Sequence, residues 1–509
     1  MYLMERTTTM DTLHTVLERG GDHDLALVVP DGPRMTYRQL RQQVDAGAEM
    51  LAALGIGRAD RVALALPNGP EAIVVFLAAT TVAASAPLNP AYTEDEYRFY
   101  LDDLGAGALV VPRGEGQAAR RARPTGAALI EAALDEEGVL HFGSAASRRT
   151  SAPHLPPTGD DVALVLHTSG TTSRPKLVPL RHRNLLASIG NIVSTYELTA
   201  DDVSLCVMPL FHVHGLVASA LSTFQAGGTV IVPRQFNPLG FWTLVREYHV
   251  TWYSAVPAIH HMLLLRLKGE RPSGTASLRF IRSCSSALAP DTMRELEARF
   301  ETPVLEAYGM TEASHQIASN PLPPGGRVPG SVGKGTGVSI GIMGEGGELL
   351  PAGERGEVVI RGPNVISGYE HNPEANAESF PAGWFRTGDL GVMDASGYLT
   401  LISRIKELIN RGGEKIAPGE VEETLRLHPA VVEAVAFGIP HDTWGEEVGA
   451  AVVLGTEGHA TARDLIVHCR DHLADFKVPR SIYITDELPR TATGKIQRRV
   501  VAAAFVPGT

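Results

Sequence analysis

Apolar and polar positions along the first 300 residues alternate between two textures. Residues 61–66 form a short apolar run that stops at Pro67-Asn68, the mark of a buried strand. Residues 70–84 follow, nearly all apolar and with Pro70 at the front, which predicts a buried helix. Further strands are predicted at 108–111, 162–166, 229–232 and 251–255. This alternation predicts an α/β fold: a large N-terminal domain of layered, mostly parallel sheets. The texture changes at 323–362, where Gly and Pro punctuate short strands such as 357–360. That stretch predicts a small antiparallel, β-barrel-like unit. Nearer the C-terminus, Pro418 opens a helix through Val421 and Leu425, and 431–437 and 448–454 are predicted strands of a small α+β C-terminal domain. Residues 153–158 predict a surface linker, and no repeat of fixed period is present. The most apolar helix-like stretch, 72–88, falls short of the ~20 residues a membrane span needs. The uncharged run 203–233 is broken by Pro209, His212, His214 and the Gly227-Gly228 pair. Both read as buried core, and no anchor is expected.

Composition narrows the picture. A chain of 509 residues is too long for one core, so two or more domains are expected. Hydrophobic residues at 44% and charged residues at 20% exclude a largely disordered protein. The 45 basic and 57 acidic side chains leave a net charge of −12, which argues against nucleic acid or an anionic membrane as partner. Cys206, Cys284 and Cys469 lie far apart. They fit a reduced, cytoplasmic protein and exclude a disulfide scaffold or a Cys-based zinc cluster. The first ten residues carry no basic patch followed by an apolar core, so no signal peptide is expected.

Candidate chemistry starts at His167-Thr168-Ser169-Gly170-Thr171-Thr172-Ser173-Arg174-Pro175-Lys176, a hydroxyl-rich loop after a predicted strand. Backbone N–H groups and hydroxyls in such a loop can surround phosphate oxygens, and Lys176 can offset their charge. The Walker spacing of Gly, Lys and Ser/Thr is not met. Alone, such a run is equally the composition of a solvated turn.

Together with the motifs that follow it, this loop resembles the adenylate-forming superfamily of acyl-CoA synthetases, nonribosomal adenylation domains and luciferases. The further motifs are Pro209-Leu210-Phe211-His212, Tyr308-Gly309-Met310-Thr311-Glu312, Arg386-Thr387-Gly388-Asp389, Ser403-Arg404-Ile405-Lys406 and Thr493-Gly494-Lys495. The resemblance implies ATP, Mg²⁺ and CoA as partners of the reaction, and a small-molecule acid as substrate. It places Thr168, Ser169, Gly170, Thr171, Thr172 and Lys176 on the phosphates, with Ser286 on the rim of the nucleotide. Tyr308 would face adenine, Asp389 would accept the ribose hydroxyls, and Arg404 would support it. Thr311 would meet the α-phosphate, Glu312 would hold Mg²⁺, and His212 would gate the acyl site. Lys495 would bridge the acyl carboxylate and the phosphate. Lys406 would be the pivot between domain 1–404 and a mobile domain 405–509. The chemistry agrees: attack of a carboxylate on the α-phosphorus crowds negative charge, so catalysis is placement of cations and donors.

Among subfamilies, the strings Arg282-Ser283-Cys284-Ser285-Ser286, Ala313-Ser314-His315 and Glu407-Leu408-Ile409-Asn410-Arg411-Gly412-Gly413 resemble the oxalate–CoA ligases of plants and fungi. A small polar acid needs donors where a fatty acid needs an apolar tunnel, and Ser285 and His315 supply them. Two features depart from the pattern. Leu177 stands where the phosphate loop usually continues with Gly, and Cys284, Ser286 and Ala287 vary the pocket string. A Gly needed for positive φ would not tolerate Leu. Three alternatives stay open: a diazotase that activates nitrite for an aryl amine, a non-catalytic nucleotide-binding relative, and a carrier protein in trans in place of CoA. The His212-Val213-His214 spacing also admits a metal pair, though no third ligand is in view.

Overall fold

The structure, a computed structural model, describes residues 12–135, 138–144, 156–168, 175–267, 272, 275–455, 458–491 and 494–506. It divides into two compact units. One takes the chain up to Ser339 together with Ile360–Phe385, and the other takes Ile340–Val359 with Arg386 onward.

Two sheets build the first unit. In the seven-stranded sheet, Arg61–Leu64 pairs in parallel with Ala84–Pro87 on one side and Ala108–Pro112 on the other. Val162–Thr168 joins in parallel, and Lys176–Arg181 returns against it antiparallel at the edge. The nine-stranded sheet has a parallel centre, made by Leu25–Val28, Val203–Leu205, Thr229–Ile231, Trp252–Ala255, Phe280–Ser283 and Val304–Met310. Antiparallel strands close both of its edges. Its core packs Leu205, Ile231, Tyr253 and Ile281 of the strands against Val245, Leu263, Leu296 and Phe300 of the helices Phe241–Glu247, Pro257–Leu265 and Pro290–Phe300. Parallel strands buried on both faces read as continuous apolar runs, which is why Thr229–Ile231 and Trp252–Ala255 were legible in the sequence, while Leu25–Val28, Val203–Leu205, Phe280–Ser283 and Val304–Met310 were not predicted.

The apolar run after Pro70 divides. Its helix is Pro70–Thr80, not 70–84. At its end the Thr80 and Thr81 hydroxyls donate to the carbonyls of Leu77 (2.8 Å) and Ala78 (2.7 Å), a local bond that competes with continued helix. Ala84–Pro87 then enters the sheet. The uncharged run 203–233 likewise divides into strand, the π-helix His214–Leu221, a short α-helix and strand. No helix among the described residues is long and apolar enough to cross a membrane.

The second unit holds the strands Ser339–Met343, Arg355–Arg361, Phe385–Met393 and Leu399–Arg404, in that order in one four-stranded sheet. The Gly- and Pro-rich stretch 323–362 thus shares its sheet with later residues, while Lys334–Gly335 belongs to the nine-stranded sheet. A five-stranded sheet follows, centred on the hairpin Val431–His441 and Gly445–Leu454. The helices Pro418–Arg426 and Ala462–His472 cover it through Val421, Leu425, Leu465 and Cys469. Residues 153–155 of the expected linker lie outside the described residues; 156–158 have no regular structure.

His182 opens the helix His182–Thr195, is fully buried, and its Nδ1 accepts the Leu13 N–H at 3.1 Å. Burial pushes its pKa down to about 4, with Asp161 opposing. The folded state therefore resists a proton that the unfolded chain takes up near pH 6.5. Stability is full above that pH and falls progressively as the pH drops towards 4. Exchange of His182 for Asn keeps an acceptor and removes the titration. Thermal melts between pH 7 and 4.5 are expected to show a shallower acid limb for His182→Asn than for the parent.

Candidate active site

The hydroxyl-rich segment begins and ends in two antiparallel strands. Thr168 at the end of one strand sits opposite Lys176 at the start of the other. Ser169, Gly170, Thr171 and Thr172 lie outside the described residues. Leu177 pairs with His167 in the ladder, is buried among Leu109, Val111 and Val165, and is not among the residues at positive φ. The position is ordinary strand, so Leu imposes no distortion there. Lys176 Nζ stands 4.3 Å from the centroid of the Tyr369 ring. Tyr369 in turn donates its hydroxyl to Glu312 Oε1 at 2.9 Å.

Thr311 and Glu312 occupy a 3-10 turn at the tip of the hairpin Val304–Met310 and His315–Ser319. Gly309 is required here: a Cβ would lie 2.0 Å from the His315 carbonyl oxygen. Ser314 and His315 adopt φ of 52° and 110°, conformations that non-glycine residues rarely hold unless the surroundings impose them. Asn364 imposes them by donating to the carbonyls of Ala313 (2.9 Å) and Gln316 (3.0 Å), while Ser314 Oγ donates to the Asn364 carbonyl (2.9 Å). Glu312 is 6% exposed, and Ile366 N–H donates to its carbonyl at 2.9 Å. Among the described residues, no cluster of three or more His, Cys, Asp or Glu would hold a metal unaided. One fixed carboxylate fits Mg²⁺, a hard ion usually shared between one or two carboxylates, phosphate oxygens and water. Tyr308 is 7% exposed on the same hairpin.

Behind this hairpin lies a polar cluster inside the nine-stranded sheet. Arg282 is fully buried and donates to Tyr196 OH (2.8 Å), Ser254 Oγ (2.9 Å) and Gln316 Oε1 (3.1 Å). His214 contacts Ser254 Oγ through Nε2 (2.6 Å) and Ser285 Oγ through Nδ1 (3.0 Å). The His315 ring lies 5.2 Å from the His214 ring, centroid to centroid. Ser285 holds φ of 73°, a third strained residue in this small region. Ser286 is half-buried beside it. His212 Nδ1 accepts the His214 N–H at 3.2 Å. Burial lowers the His212 pKa to about 4. Burial first and the Arg282 charge second hold His214 and His315 well below the usual histidine range. All three imidazoles are therefore neutral at pH 7. With both ring nitrogens of His214 engaged, the His212–His214 metal pair is excluded.

The remaining expected residues lie in the second unit. Asp389 and Arg404 are cross-strand partners, joined by Arg404 Nε to Asp389 Oδ1 at 2.7 Å. Asp389 is 6% exposed, while its Arg404 partner keeps part of its side chain in water. Lys495 rides a turn in which Thr491 N–H donates to the Lys495 carbonyl (2.8 Å) and Gly494 holds φ of 84°. Arg490 braces the turn by donating to the Gly494 carbonyl at 2.9 Å. Burial first and the Arg404 and Arg498 charges after it lower the Lys495 pKa from its ordinary value, with Glu407 and Asp389 opposing. Lys406 is exposed on the 3-10 turn Ile405–Glu407, directly after the Arg404 strand.

Motif reading missed four members of this site: His214, Ser254, Arg282 and Tyr369. The His-x-His spacing in an apolar run and an Arg inside an apolar strand were the available signals for two of them. Ser254 and Tyr369 carry none, because their roles arise from register and packing.

Residues 15–370 match the family described as AMP-binding enzyme, and 420–495 match its C-terminal domain. An oxalate–CoA ligase of Arabidopsis thaliana is 46% identical, with 99% of each chain covered. One from Saccharomyces cerevisiae is 46% identical, with 95% of each covered. The ATP-bound crystal structure of MatB from Rhodopseudomonas palustris superposes with a TM-score of 0.88 at 32% identity, covering 98% of this chain and 99% of that one. The strained Thr311–His315 hairpin, the paired Thr168 and Lys176 and the Asp389–Arg404 pair thus sit in a chain that belongs to the AMP-binding, adenylate-forming enzyme family.

Proposed function

We infer that this protein is an AMP-forming acid–CoA ligase whose acid is oxalate or one equally small and polar. The observation that carries this reading is the wall of hydrogen-bonding groups around His214. Ser285 and His315 both neighbour that ring, and both are held at positive φ. Such a wall suits a short acid with two carboxylates and does not suit a long acyl chain. The two oxalate–CoA ligase relatives support the same choice.

In the first half-reaction a carboxylate oxygen of the acid attacks the α-phosphorus of ATP, and pyrophosphate leaves. Thr168 and Lys176, with Ser169 to Thr172, would hold the outer phosphates. Thr311 would donate to the α-phosphate, Tyr308 would face adenine, and Asp389, fixed by Arg404, would accept the ribose hydroxyls. Glu312 would hold Mg²⁺, which supplies positive charge against the phosphates when bound. Lys495 would place its ammonium at the carboxylate and phosphate as charge builds. In the second half-reaction the CoA sulfur attacks the acyl carbon, its proton is lost, and AMP leaves. Lys406 would be the pivot between the two steps, since an exposed turn can absorb a backbone change without touching the chemistry. CoA rather than a carrier protein would be the acceptor, as in the relatives' names. Cys206, Cys284 and Cys469 are free and buried, which supports a reducing, cytoplasmic setting. Nitrite is the competing small anion, and membership among CoA ligases does not favour it.

Incubation with ATP, Mg²⁺, CoA and a panel of short acids is expected to release pyrophosphate with oxalate and to form a thioester. Release with nitrite and an aryl amine, and with no carboxylate, would overturn the choice of acid. Lys495→Ala should slow pyrophosphate release about a hundredfold, as for loss of a transition-state charge partner, and slow thioester formation from supplied acyl-adenylate much less. Lys406→Pro should do the reverse, and single-turnover assays of each half-reaction separate the two. Tyr369→Phe keeps the ring over which Lys176 lies and removes the bond to Glu312. The Mg²⁺ concentration for half-maximal activity should rise by about tenfold, the usual size of such an outer contact.

A further inference from the structure

We propose that Arg282 is a positioning residue: a chain of one-way hydrogen bonds starts at its guanidinium, passes through Ser254 and His214, and sets the Ser285 hydroxyl as a donor to an anionic acid. The relay is a property of the resting protein. Its use on an acid rests on the ligase reading above.

Direction follows from what each group can do. A guanidinium has donors and no acceptor. Arg282 Nη1–H therefore donates to Ser254 Oγ, 2.9 Å away. Ser254 is fully buried, and among the described residues its remaining hydrogen bond is to His214 Nε2 at 2.6 Å. A buried hydroxyl proton needs an acceptor, so Ser254 donates to Nε2. His214 is neutral, held so by burial and by the Arg282 charge. With Nε2 accepting, its single proton is on Nδ1, which donates to Ser285 Oγ at 3.0 Å. Ser285 spends one lone pair on His214, and its own proton is left to point elsewhere. Its φ of 73° holds that hydroxyl at a half-buried position.

The same residue supplies charge as well as direction. The partners Tyr196, Ser254 and Gln316 are all neutral. Among the described residues no carboxylate is hydrogen-bonded to the guanidinium, so its field extends to the imidazoles and to any acid beside them. His315 Nε2 is buried with no hydrogen-bond partner among the described residues, a second polar atom at the same wall. An acid with two ionised carboxylates gains most from a fixed cation behind a row of oriented donors. A neutral or long-chain acid gains little.

The test breaks the middle link. Ser254→Ala removes one oxygen, leaves Arg282 in place and frees His214 Nε2. In protein labelled with ¹⁵N histidine, the His214 ring is identified by its absence from the His214→Gln spectrum. Two-bond ¹H–¹⁵N correlations at pH 7 are expected to show the Nδ1–H tautomer in the parent and its loss in Ser254→Ala. Ser254→Thr, which keeps the hydroxyl, should restore it. KM for oxalate should rise about tenfold or more in Ser254→Ala, the usual loss for a bond to a charged group, with KM for ATP within about twofold. An Nε2–H or doubly protonated ring in the parent would overturn the relay, as would a tautomer unchanged by Ser254→Ala. If the parent forms no oxalyl thioester, the choice of acid fails, and the spectrum of the resting protein still decides the relay.

Discussion

A guanidinium stays charged under any condition a folded protein survives, so burying one fixes every group that touches it. Arg282 is buried at the centre of the nine-stranded sheet. The parallel register places Ser254 directly opposite it on the neighbouring strand. Tyr196 arrives from the end of the helix His182–Thr195, and Gln316 from the returning strand of the Thr311 hairpin. Each meets the cation with an oxygen. The usual remedy for a buried charge is a carboxylate. Here three neutral acceptors spread the hydrogen bonds, and the charge itself is left to act on its surroundings. Burial keeps the neighbouring histidines neutral, and for His214 and His315 the Arg282 charge adds to it, because a second positive charge nearby is disfavoured.

The strained backbone belongs to the same design. Ser285 and the Thr311 turn follow the carboxyl ends of the strands Phe280–Ser283 and Val304–Met310, where open α/β sheets generally bind ligands. Parallel strands end there with nothing opposite, so the chain must turn sharply within a few residues. Ser285, Ser314 and His315 take positive φ at those turns. Gly309 makes room for the approach of His315, and Asn364 pins the turn from outside. Rigid sheet behind and fixed turns in front leave the side chains little freedom to reorient, which is what donors aimed at an anion require.

Much of this was legible before any coordinates. Buried parallel strands announce themselves as apolar runs, and the ordered motifs singled out Thr311, Glu312, Asp389, Arg404 and Lys495 as candidates. Other features were not legible, for physical reasons. The helix after Pro70 stops at Thr80, where two threonine hydroxyls bond back to the carbonyls of Leu77 and Ala78, a local feature that apolar periodicity does not register. Leu177 looked like a defect because a loop glycine was expected there, yet the residue lies in strand, where a branched apolar side chain is at home. Arg282 stood in plain view inside a quoted string, but its role depends on which strand lies beside it. Sheet order is a long-range property, and Ser254 and Arg282 are brought together by it alone.

The two units treat charge differently, and the proposed mechanism gives the difference a reason. The first unit buries the Arg282 cation and surrounds it with neutral acceptors. In the second unit the charged groups Arg404, Glu407 and Lys495 keep part or all of their surface in water. A cation buried for good can be held by a rigid sheet, since its desolvation cost is met once, on folding. A cation that serves one half-reaction and then withdraws meets that cost in every cycle. Lys406 lies exposed on its turn, which keeps that cost small there, and in the proposed mechanism the ATP phosphates would supply the counter-charge when Lys495 engages. Fixed polarity where the acid is chosen, and hydrated charge where the chemistry alternates, is the arrangement a two-step ligase requires.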